Sequence, residues 1–260
     1  QMIARHLARG AGLRRIRGMW LPTASLLALL AAPVPPSAPL DGDHRSLTAT
    51  VRYDEMERFL LGAARPGLVE VTVEGRSTEG RAVYLARLKR GAAPARWRVL
   101  FYAQQHGDEL AGKDAQLFLL RDVLRRPERL PEDTEVWLMP SLNPDGGEAG
   151  TRRNAAGVDL NRDHQALSQP ETQALYRAER RARPHVAVDC HEFGRDGEAW
   201  RQRGFVKWPI ITMDGANHPL LDPVLVRAGQ RWVAEAAEPL ARAGHAFERY
   251  SLGGLLLDEE

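Results

Sequence analysis

The stretch FYAQQHGDELAGKDAQLFLL, residues 101–120, joins a strand to a helix and holds two possible metal ligands between them. The apolar run from Trp97 to Ala103 is nearly continuous, which is typical of a strand buried on both faces of a sheet. Apolar residues then recur at helical spacing. His106 and Glu109 lie in the turn between the two elements. The stretch alone predicts either the start of a helix or half of a metal site.

Strands and helices alternate along the rest of the chain. The patterns predict helices at 54–64, 109–125, 171–182 and 224–244, a hairpin of two strands within 68–88, and strands at 97–103, 134–140 and 185–190, the last three buried. Such alternation indicates an α/β sheet with helices on both faces. Ser168 and Glu171 fit a capping box at the start of the third helix, and Asn143–Gly146 reads as a turn. In such sheets, binding sites collect at the carboxyl ends of the strands.

Composition limits the possible partners. The 260 residues are 43% apolar and 27% charged, which is ordinary for a globular chain with one sizeable core. The net charge is +2, but residues 1–38 carry five arginines and no acidic residue, leaving about −3 for the rest. This weakly acidic body gives no reason to expect nucleic acid as a partner. The single cysteine, Cys190, excludes an internal disulfide.

Residues 1–38 have the pattern of a secretory signal peptide, with a disordered leader as the alternative. An arginine-rich start precedes the apolar run Leu21–Ala32 and the small, proline-rich APVPPSAP. The run is too short for a stable transmembrane span, which needs about 20 apolar residues. A later start at Met19 and a retained anchor are further alternatives. We therefore expect a secreted or periplasmic protein whose folded domain comprises residues 39–260.

Three polar side chains are expected at the carboxyl ends of the strands. His106 and Glu109 flank one turn, and His191 ends the strand predicted at 185–190. Two imidazoles and one carboxylate, with a fourth position left to water, form a common catalytic zinc site. Each residue taken singly has a structural explanation, because Glu109 could simply favour the helix N-terminus.

The polar segment 150–163 carries Arg152, Arg153, Asn161 and Arg162 between core elements. Such a segment is costly to order unless it holds something anionic. Arg162 beside Asn161 can clamp a carboxylate with charge-assisted hydrogen bonds, and Arg152 could face an oxygen on which charge develops. The alternative is a solvated, arginine-rich loop.

Four motifs, HGDE (106–109), LNPDG (142–146), GVDLNR (157–162) and DCH (189–191), occur in the order and spacing of the zinc metallocarboxypeptidases. The sequence resembles this carboxypeptidase A-like family over about residues 68–195. The resemblance implies a three-layer α/β/α fold with a mixed, largely parallel central sheet, as in the phosphorylase/hydrolase-like fold. It also implies one Zn²⁺ per chain and hydrolysis of the C-terminal peptide bond of peptides by zinc-activated water.

The resemblance implies His106, Glu109 and His191 as the zinc ligands. Asp159 matches an aspartate that orients the first zinc histidine, as carboxylates around metal sites commonly do. The alternative for Asp159 is a loop aspartate that caps its own backbone.

The substrate roles fall on the polar segment. Asn161 and Arg162 match the pair that grips the terminal carboxylate of the substrate. Arg152 matches the arginine that polarises the scissile carbonyl, with its neighbour Arg153 as the alternative.

Other polar residues near the motifs are not assigned to the chemistry. Glu192 is expected to point away from the site, and Cys190 is expected to be a small core residue. His164 has no partner at ligand spacing.

The family's mechanism also needs a glutamate as general base on a late strand. Glu259 is one candidate, but we expect this glutamate to lie beyond residue 260, with the C-terminal part of the domain missing. On that expectation the chain binds zinc and is inactive by itself.

The alternative functions share the fold or the metal. They are a zinc-dependent deacylase of the aspartoacylase or succinylglutamate desuccinylase type, a murein-peptide amidase, and a catalytically inactive zinc-dependent peptide-binding module. The NPDG motif and the export signal favour the peptidase, acting on a peptide or peptidoglycan peptide with a free carboxylate.

Overall fold

The computed structural model describes residues 50–192, 202, 211–216 and 220–249. The predicted signal peptide at 1–38 and Glu259 lie outside these residues. The described residues form two compact units, one within 50–192 and one between 202 and 249, and the predicted domain limits stay a prediction. Among the described residues, no helix combines the length and the apolar character that crossing a membrane requires.

A five-stranded mixed sheet forms the centre of the first unit. Its strands are β1 (Val69–Arg76), β2 (Ala82–Lys89), β3 (Trp97–Ala103), β4 (Thr134–Met139) and β5 (Val186–Cys190), in the order β1-β2-β4-β3-β5. The β1–β2 hairpin and the β2–β4 pair are antiparallel, whereas β4, β3 and β5 are parallel. The mixed sheet confirms the predicted α/β class.

Helices cover both faces of this sheet. The helices are α1 (Tyr53–Ala63), α2 (Ala111–Arg125), the short α3 (Pro144–Ala149) and α4 (Pro170–Ala182). On one face α2 approaches so closely at Gly112 that an added Cβ would lie 2.8 Å from the Cβ of Cys190. On the other face Leu175 and Ala178 of α4 share a buried cluster with Leu100 and Tyr102 of β3. Helices on opposite faces give the first unit the three layers that the resemblance implied.

The start of α4 differs from the prediction. The capping box of Ser168 and Glu171 is wrong, because the N-cap is Gln169 and no side chain caps the helix from that position. Glu171 is instead fully buried and accepts hydrogen bonds from the backbone N–H and hydroxyl of Thr78. Asp163, five residues before Ser168, accepts the backbone N–H groups of Ser168 and Gln169. Asp163 therefore replaces Glu171 as the acceptor for Ser168, and Glu171 pairs with Thr78 instead.

Two further elements depart from the sequence pattern. Residues 143–146 form the N-cap and first turn of α3 rather than an isolated turn. The predicted burial of β5 is wrong, since Ala187 and Asp189 are exposed. Within the described residues β5 pairs with β3 alone, so its other edge has no partner strand there.

The second unit contains β6 (Ile211–Met213), α5 (Pro223–Arg242) and β7 (Phe247–Arg249). β6 and β7 are parallel neighbours, with α5 between them in the chain. Asp222 caps α5 by accepting the backbone N–H of Val224 at 2.8 Å. The predicted helix at 224–244 is thus confirmed with a slightly earlier start and end.

Candidate metal centre

The turn between β3 and α2 places the side chains of His106 and Glu109 next to each other. The Glu109 N–H donates to the His106 carbonyl at 3.1 Å, which closes the turn. Gly107, between them, lies against the first turn of α3, and an added Cβ would come within 2.1 Å of the Gly146 carbonyl carbon. Only glycine permits this approach, which seats the turn on α3.

Parallel pairing brings the third predicted ligand alongside. Ala103, at the end of β3, pairs with Cys190 of β5, so His191 follows directly beside the turn. The Nδ1 atoms of His106 and His191 lie 2.7 and 2.8 Å from the two carboxylate oxygens of Glu109. One ligand atom from each of the three residues lies within 4.8 Å of the others. This set of two imidazoles and a carboxylate fits a zinc ion.

The charges around the imidazoles favour a cation. Burial opposes the charged form of Glu109, yet hydrogen bonds from His191 and the Glu192 N–H hold its pKa below the ordinary value. Burial likewise lowers the pKa of His191, but the carboxylates of Asp189 and Glu109 outweigh burial and raise it to about 10. A set of carboxylates that stabilises a proton so strongly also attracts a metal cation, which competes with the proton for the imidazole.

Asp159 both contacts the His106 ring and caps its own loop backbone, the two roles that the sequence offered as alternatives. Its Oδ1 lies 3.2 Å from Nε2 of His106 and accepts the backbone N–H of Asn161 at 3.0 Å. Its Oδ2 accepts from Nε of Arg152 at 3.2 Å. Both ring nitrogens of His106 face carboxylates, which only accept, so a metal bound at Nδ1 would leave the ring proton on Nε2 to donate to Asp159.

Residues of the polar segment 150–163 differ in how closely they approach the ligand set. Arg152 approaches closely, with Nη1 3.9 Å from the Glu109 carboxylate. Asn161 Nδ2 lies 3.3 Å from Nε2 of His191. Arg162 is exposed and donates to the Asn161 carbonyl, whereas Arg153 donates to Gly157 in its own loop. The geometry thus brings Arg152 and Asn161 to the metal centre and leaves Arg153 occupied within the segment.

Two residues that shape the centre were given no direct contact with it from the sequence: Asn143 was assigned to a turn shaping the site, and Glu192 was expected to point away. Asn143 is fully buried; its amide donates to the Gln105 carbonyl at 3.3 Å and the Arg152 carbonyl at 3.4 Å. Glu192 accepts the N–H groups of Leu110 and Ala111 at 2.9 Å, at the start of α2. The available signal for Asn143 was its place just after a buried strand, whereas the contact of Glu192 with a residue 82 positions earlier left no local pattern.

Comparison with known proteins identifies a family for this chain. The family model for zinc carboxypeptidases (Peptidase_M14) matches residues 59–195, just over half of the chain. The catalytic chain of human carboxypeptidase N is 33% identical over 141 residues, covering 45% of this chain and 31% of the relative. The chain thus spans about a third of the length of the curated relatives that it matches.

Solved structures share the fold. A Pseudomonas aeruginosa metallo-carboxypeptidase in complex with (2-guanidinoethylmercapto)succinic acid is 28% identical, with a TM-score of 0.59, over 80% of this chain and 52% of that one. A Burkholderia cenocepacia metallo-carboxypeptidase, 22% identical, gives a TM-score of 0.61 over 76% of this chain and 53% of that one. From the extent of the family match, the chain belongs to the zinc carboxypeptidase family.

Proposed function

We propose that the protein is a zinc-dependent metallocarboxypeptidase and that this chain supplies its metal ligands and carboxylate-binding residues. The observation that carries the proposal is the convergence of His106, Glu109 and His191 beside Arg152 and Asn161. Membership of the zinc carboxypeptidase family and the similarity to carboxypeptidases support the same reaction. The substrate is a peptide with a free terminal carboxylate.

The zinc ligands in this proposal are Nδ1 of each imidazole and the Glu109 carboxylate. When bound, zinc supplies Lewis-acid polarisation of a carbonyl and lowers the pKa of water. Asp159 holds the His106 ring through its Nε2–H, so that the ring keeps its orientation when the metal is exchanged. Glu192 occupies the N–H groups at the start of α2, which leaves Glu109 for the metal.

Arg152 is the proposed stabiliser of charge on the scissile carbonyl oxygen. Its guanidinium is tied to Asp159 through Nε and Nη2, at 3.2 and 3.1 Å, and this pair directs Nη1 toward Glu109. A donor fixed in this way needs little reorganisation when negative charge develops next to it. Removing one such donor typically lowers turnover about 10²- to 10³-fold.

Arg162 and Asn161 are the proposed carboxylate-binding pair. The planar guanidinium of arginine can bind both oxygens of a carboxylate at once. Asn161 joins the two halves of the site, because its backbone N–H is bound to Asp159 and its amide lies next to His191. A carboxylate held by this pair would therefore lie close to the metal ligands.

Two finer assignments belong to the same proposal. The substrate class includes a peptidoglycan peptide with a free carboxylate. Export directed by residues 1–38 would bring the protein into contact with such a substrate. The general base is the family's late-strand glutamate; Glu259, the candidate within the chain, lies outside the described residues.

The testing experiment measures metal content and ligand binding on the purified 260-residue chain. We expect one zinc per chain by mass spectrometry. We also expect the zinc-loaded chain, and not the zinc-free chain, to bind (2-guanidinoethylmercapto)succinic acid, the compound present in the similar Pseudomonas aeruginosa structure. A chain that takes up no zinc under any loading condition would overturn the proposal.

Hydrolysis assays then separate the peptidase from its alternatives. Release of the C-terminal residue from a free peptide, with no release from its C-terminally amidated form, supports carboxypeptidase action, because Arg162 requires the carboxylate. Cleavage of an N-acyl amino acid without cleavage of peptides would support a deacylase instead. Binding of zinc and of (2-guanidinoethylmercapto)succinic acid, without hydrolysis of peptides or N-acyl amino acids by this chain or by any longer form that the gene encodes, would support a peptide-binding module.

A further inference from the structure

A chain of side-chain hydrogen bonds runs from His164 to the third zinc-ligand candidate. Nε2 of His164 lies 2.7 Å from Oε1 of Gln105, and Nε2 of Gln105 donates to Oδ2 of Asp189 at 2.7 Å. The same Asp189 oxygen lies 3.0 Å from Nε2 of His191. Gln105 follows β3, His164 directly follows the polar segment, and Asp189 and His191 belong to β5 and its end, so the chain ties three separate parts of the site together.

The chemistry of the four groups fixes the direction of each bond. A carboxylate only accepts, so Asp189 accepts one hydrogen bond from the Gln105 amide nitrogen and another from Nε2 of His191. With its NH₂ facing Asp189, Gln105 presents its oxygen to His164, which must then donate from Nε2. His191 consequently carries a proton on Nε2, where Asp189 at 3.0 Å is a nearer neighbour than the Asn161 amide at 3.3 Å. Nδ1, the atom that faces Glu109 at 2.8 Å, is the nitrogen left for a metal.

Gln105 is the fixed member of this chain. The Asp189 side chain is 30% exposed, so by itself it could turn toward water at little cost. Gln105 is fully buried, and its own carbonyl is bound by Asn143. The strong 2.7 Å bond from Gln105 therefore holds the Asp189 rotamer that His191 needs.

We propose that Gln105 and His164 are positioning residues that act through Asp189 to fix the ring orientation and tautomer of His191. This inference rests on the proposed function, because it concerns the zinc affinity of the same site. In this arrangement Asp189 is the outer partner of His191 at Nε2, just as Asp159 is the outer partner of His106 at Nε2. Each imidazole thus presents Nδ1 to the metal and has its opposite nitrogen held by an aspartate.

The test compares Gln105→Leu with Gln116→Leu. Gln116 is a buried glutamine of α2 whose amide interacts with the Cys190 thiol and takes no part in the chain from His164 to His191, so it controls for burying a leucine near the same strand end. Zinc dissociation constants are measured by competition with a chromogenic chelator. We expect Gln105→Leu to bind zinc about 10- to 100-fold more weakly, the usual loss on removing an outer partner of a ligand. Gln116→Leu should match the wild type.

A second readout reports the positioning directly. In the zinc-loaded protein, the His191 Nε2 proton should give an exchange-protected NMR signal that is lost in Gln105→Leu and kept in Gln116→Leu. His164→Phe keeps a ring while removing the donor to Gln105, and should weaken zinc binding in the same direction by a smaller factor. If Gln105→Leu does not fold, the zinc affinity of His164→Phe tests the positioning role in its place.

The outcomes separate this inference from the proposed function. A wild-type chain that binds no zinc overturns both. Zinc binding of unchanged affinity in folded Gln105→Leu and His164→Phe, with the His191 proton still protected, overturns only the positioning role. A loss of zinc affinity in Gln116→Leu equal to that in Gln105→Leu would also overturn it, because the effect would then follow from the buried substitution alone.

Discussion

Two glutamates at the start of α2 divide tasks that the sequence could not separate. Glu109 could have been a residue that merely favours the helix N-terminus. In the structure Glu192 takes that role, since its carboxylate accepts the N–H groups of Leu110 and Ala111. Glu109 therefore turns both oxygens toward the imidazoles. The backbone N–H of Glu192 also donates to Glu109 at 3.1 Å, which couples the two tasks.

Replacing His191 tests the ligand set at the scale of one residue. We expect His191→Ala to lose stoichiometric zinc, because only one imidazole and one carboxylate of the proposed set remain. His185→Ala is the matched control: His185 precedes β5 and binds the backbone N–H of Arg98 through Nδ1, away from the ligand set. Mass spectrometry of the dialysed proteins measures the difference. Undiminished zinc in a folded His191→Ala protein would show that His191 is not a ligand.

Replacing Arg162 tests the carboxylate-binding pair. Arg162→Ala should weaken binding of (2-guanidinoethylmercapto)succinic acid by roughly 10- to 100-fold, the worth of a hydrogen bond to a charged group. Zinc content should not change, because Arg162 contacts only the Asn161 carbonyl among the hydrogen bonds of the described residues. Arg153→Ala should bind the compound normally. Calorimetry measures the affinity, and equal weakening in both variants would contradict the assignment.

At the scale of elements, buried polar side chains hold the polar segment 150–163 in place. Asn154, 4% exposed, accepts the backbone N–H of Val158 and donates to the buried Glu171 of α4. Asp163, also 4% exposed, ends the segment and accepts hydrogen bonds from Ser168, Gln169 and Thr172. The conformation that presents Arg152 and Asn161 therefore depends on α4 as well as on bonds within the segment, such as those of Asp159.

Asp163 gives this anchoring a measurable dependence on pH. Burial opposes its charge, but the hydrogen bonds from Ser168 and Thr172 hold its pKa below the ordinary value. Its contribution is therefore present above the unfolded pKa of about 3.9 and is lost as the pH falls through the lower folded pKa. Asp163→Asn should lower the free energy of unfolding by about 1–3 kcal/mol at pH 6.

Urea denaturation between pH 3 and pH 7 measures this effect. The difference between the wild type and Asp163→Asn should be constant from pH 5 to 7 and shrink below pH 4. Asp54→Asn, an exposed aspartate in the first turn of α1, should cost much less. A difference for Asp163→Asn that persisted unchanged at pH 3 would show that the charge is not what stabilises the segment.

The sequence predicted elements whose cause is local and missed those whose cause is distant. The nearly continuous apolar run predicted β3 with its observed limits, Trp97–Ala103. The start of α4 was predicted wrongly because Glu171 pairs with Thr78, 93 residues earlier, instead of with Ser168. Gln105 went unnoticed for the same reason, since its partner Asp189 is 84 residues away. Motif spacing marked the ligand residues, but no spacing marks the residues that orient them.

At the scale of the whole molecule, the proposed metal would join parts that the chain itself connects only distantly. His106 and Glu109 follow β3, whereas His191 follows β5, 82 residues after Glu109. In the described residues β5 pairs with β3 alone, so it has half the hydrogen-bonded neighbours of a central strand. A metal bound by residues from both segments would hold the end of β5 against the rest of the sheet. Zinc binding should therefore raise the free energy of unfolding of the first unit.

This linkage predicts a zinc-dependent melting temperature. A ligand that binds only the folded state, at a free concentration 100 times its Kd, stabilises that state by about 2.7 kcal/mol. For a unit of this size we expect a rise of roughly 5–15 °C in Tm, measured by circular dichroism with and without a chelator. His191→Ala should show no rise, because it lacks the ligand that ties β5 to the turn. An equal rise in His191→Ala would mean that zinc binds elsewhere, and the connection between β3 and β5 through the metal would then be wrong.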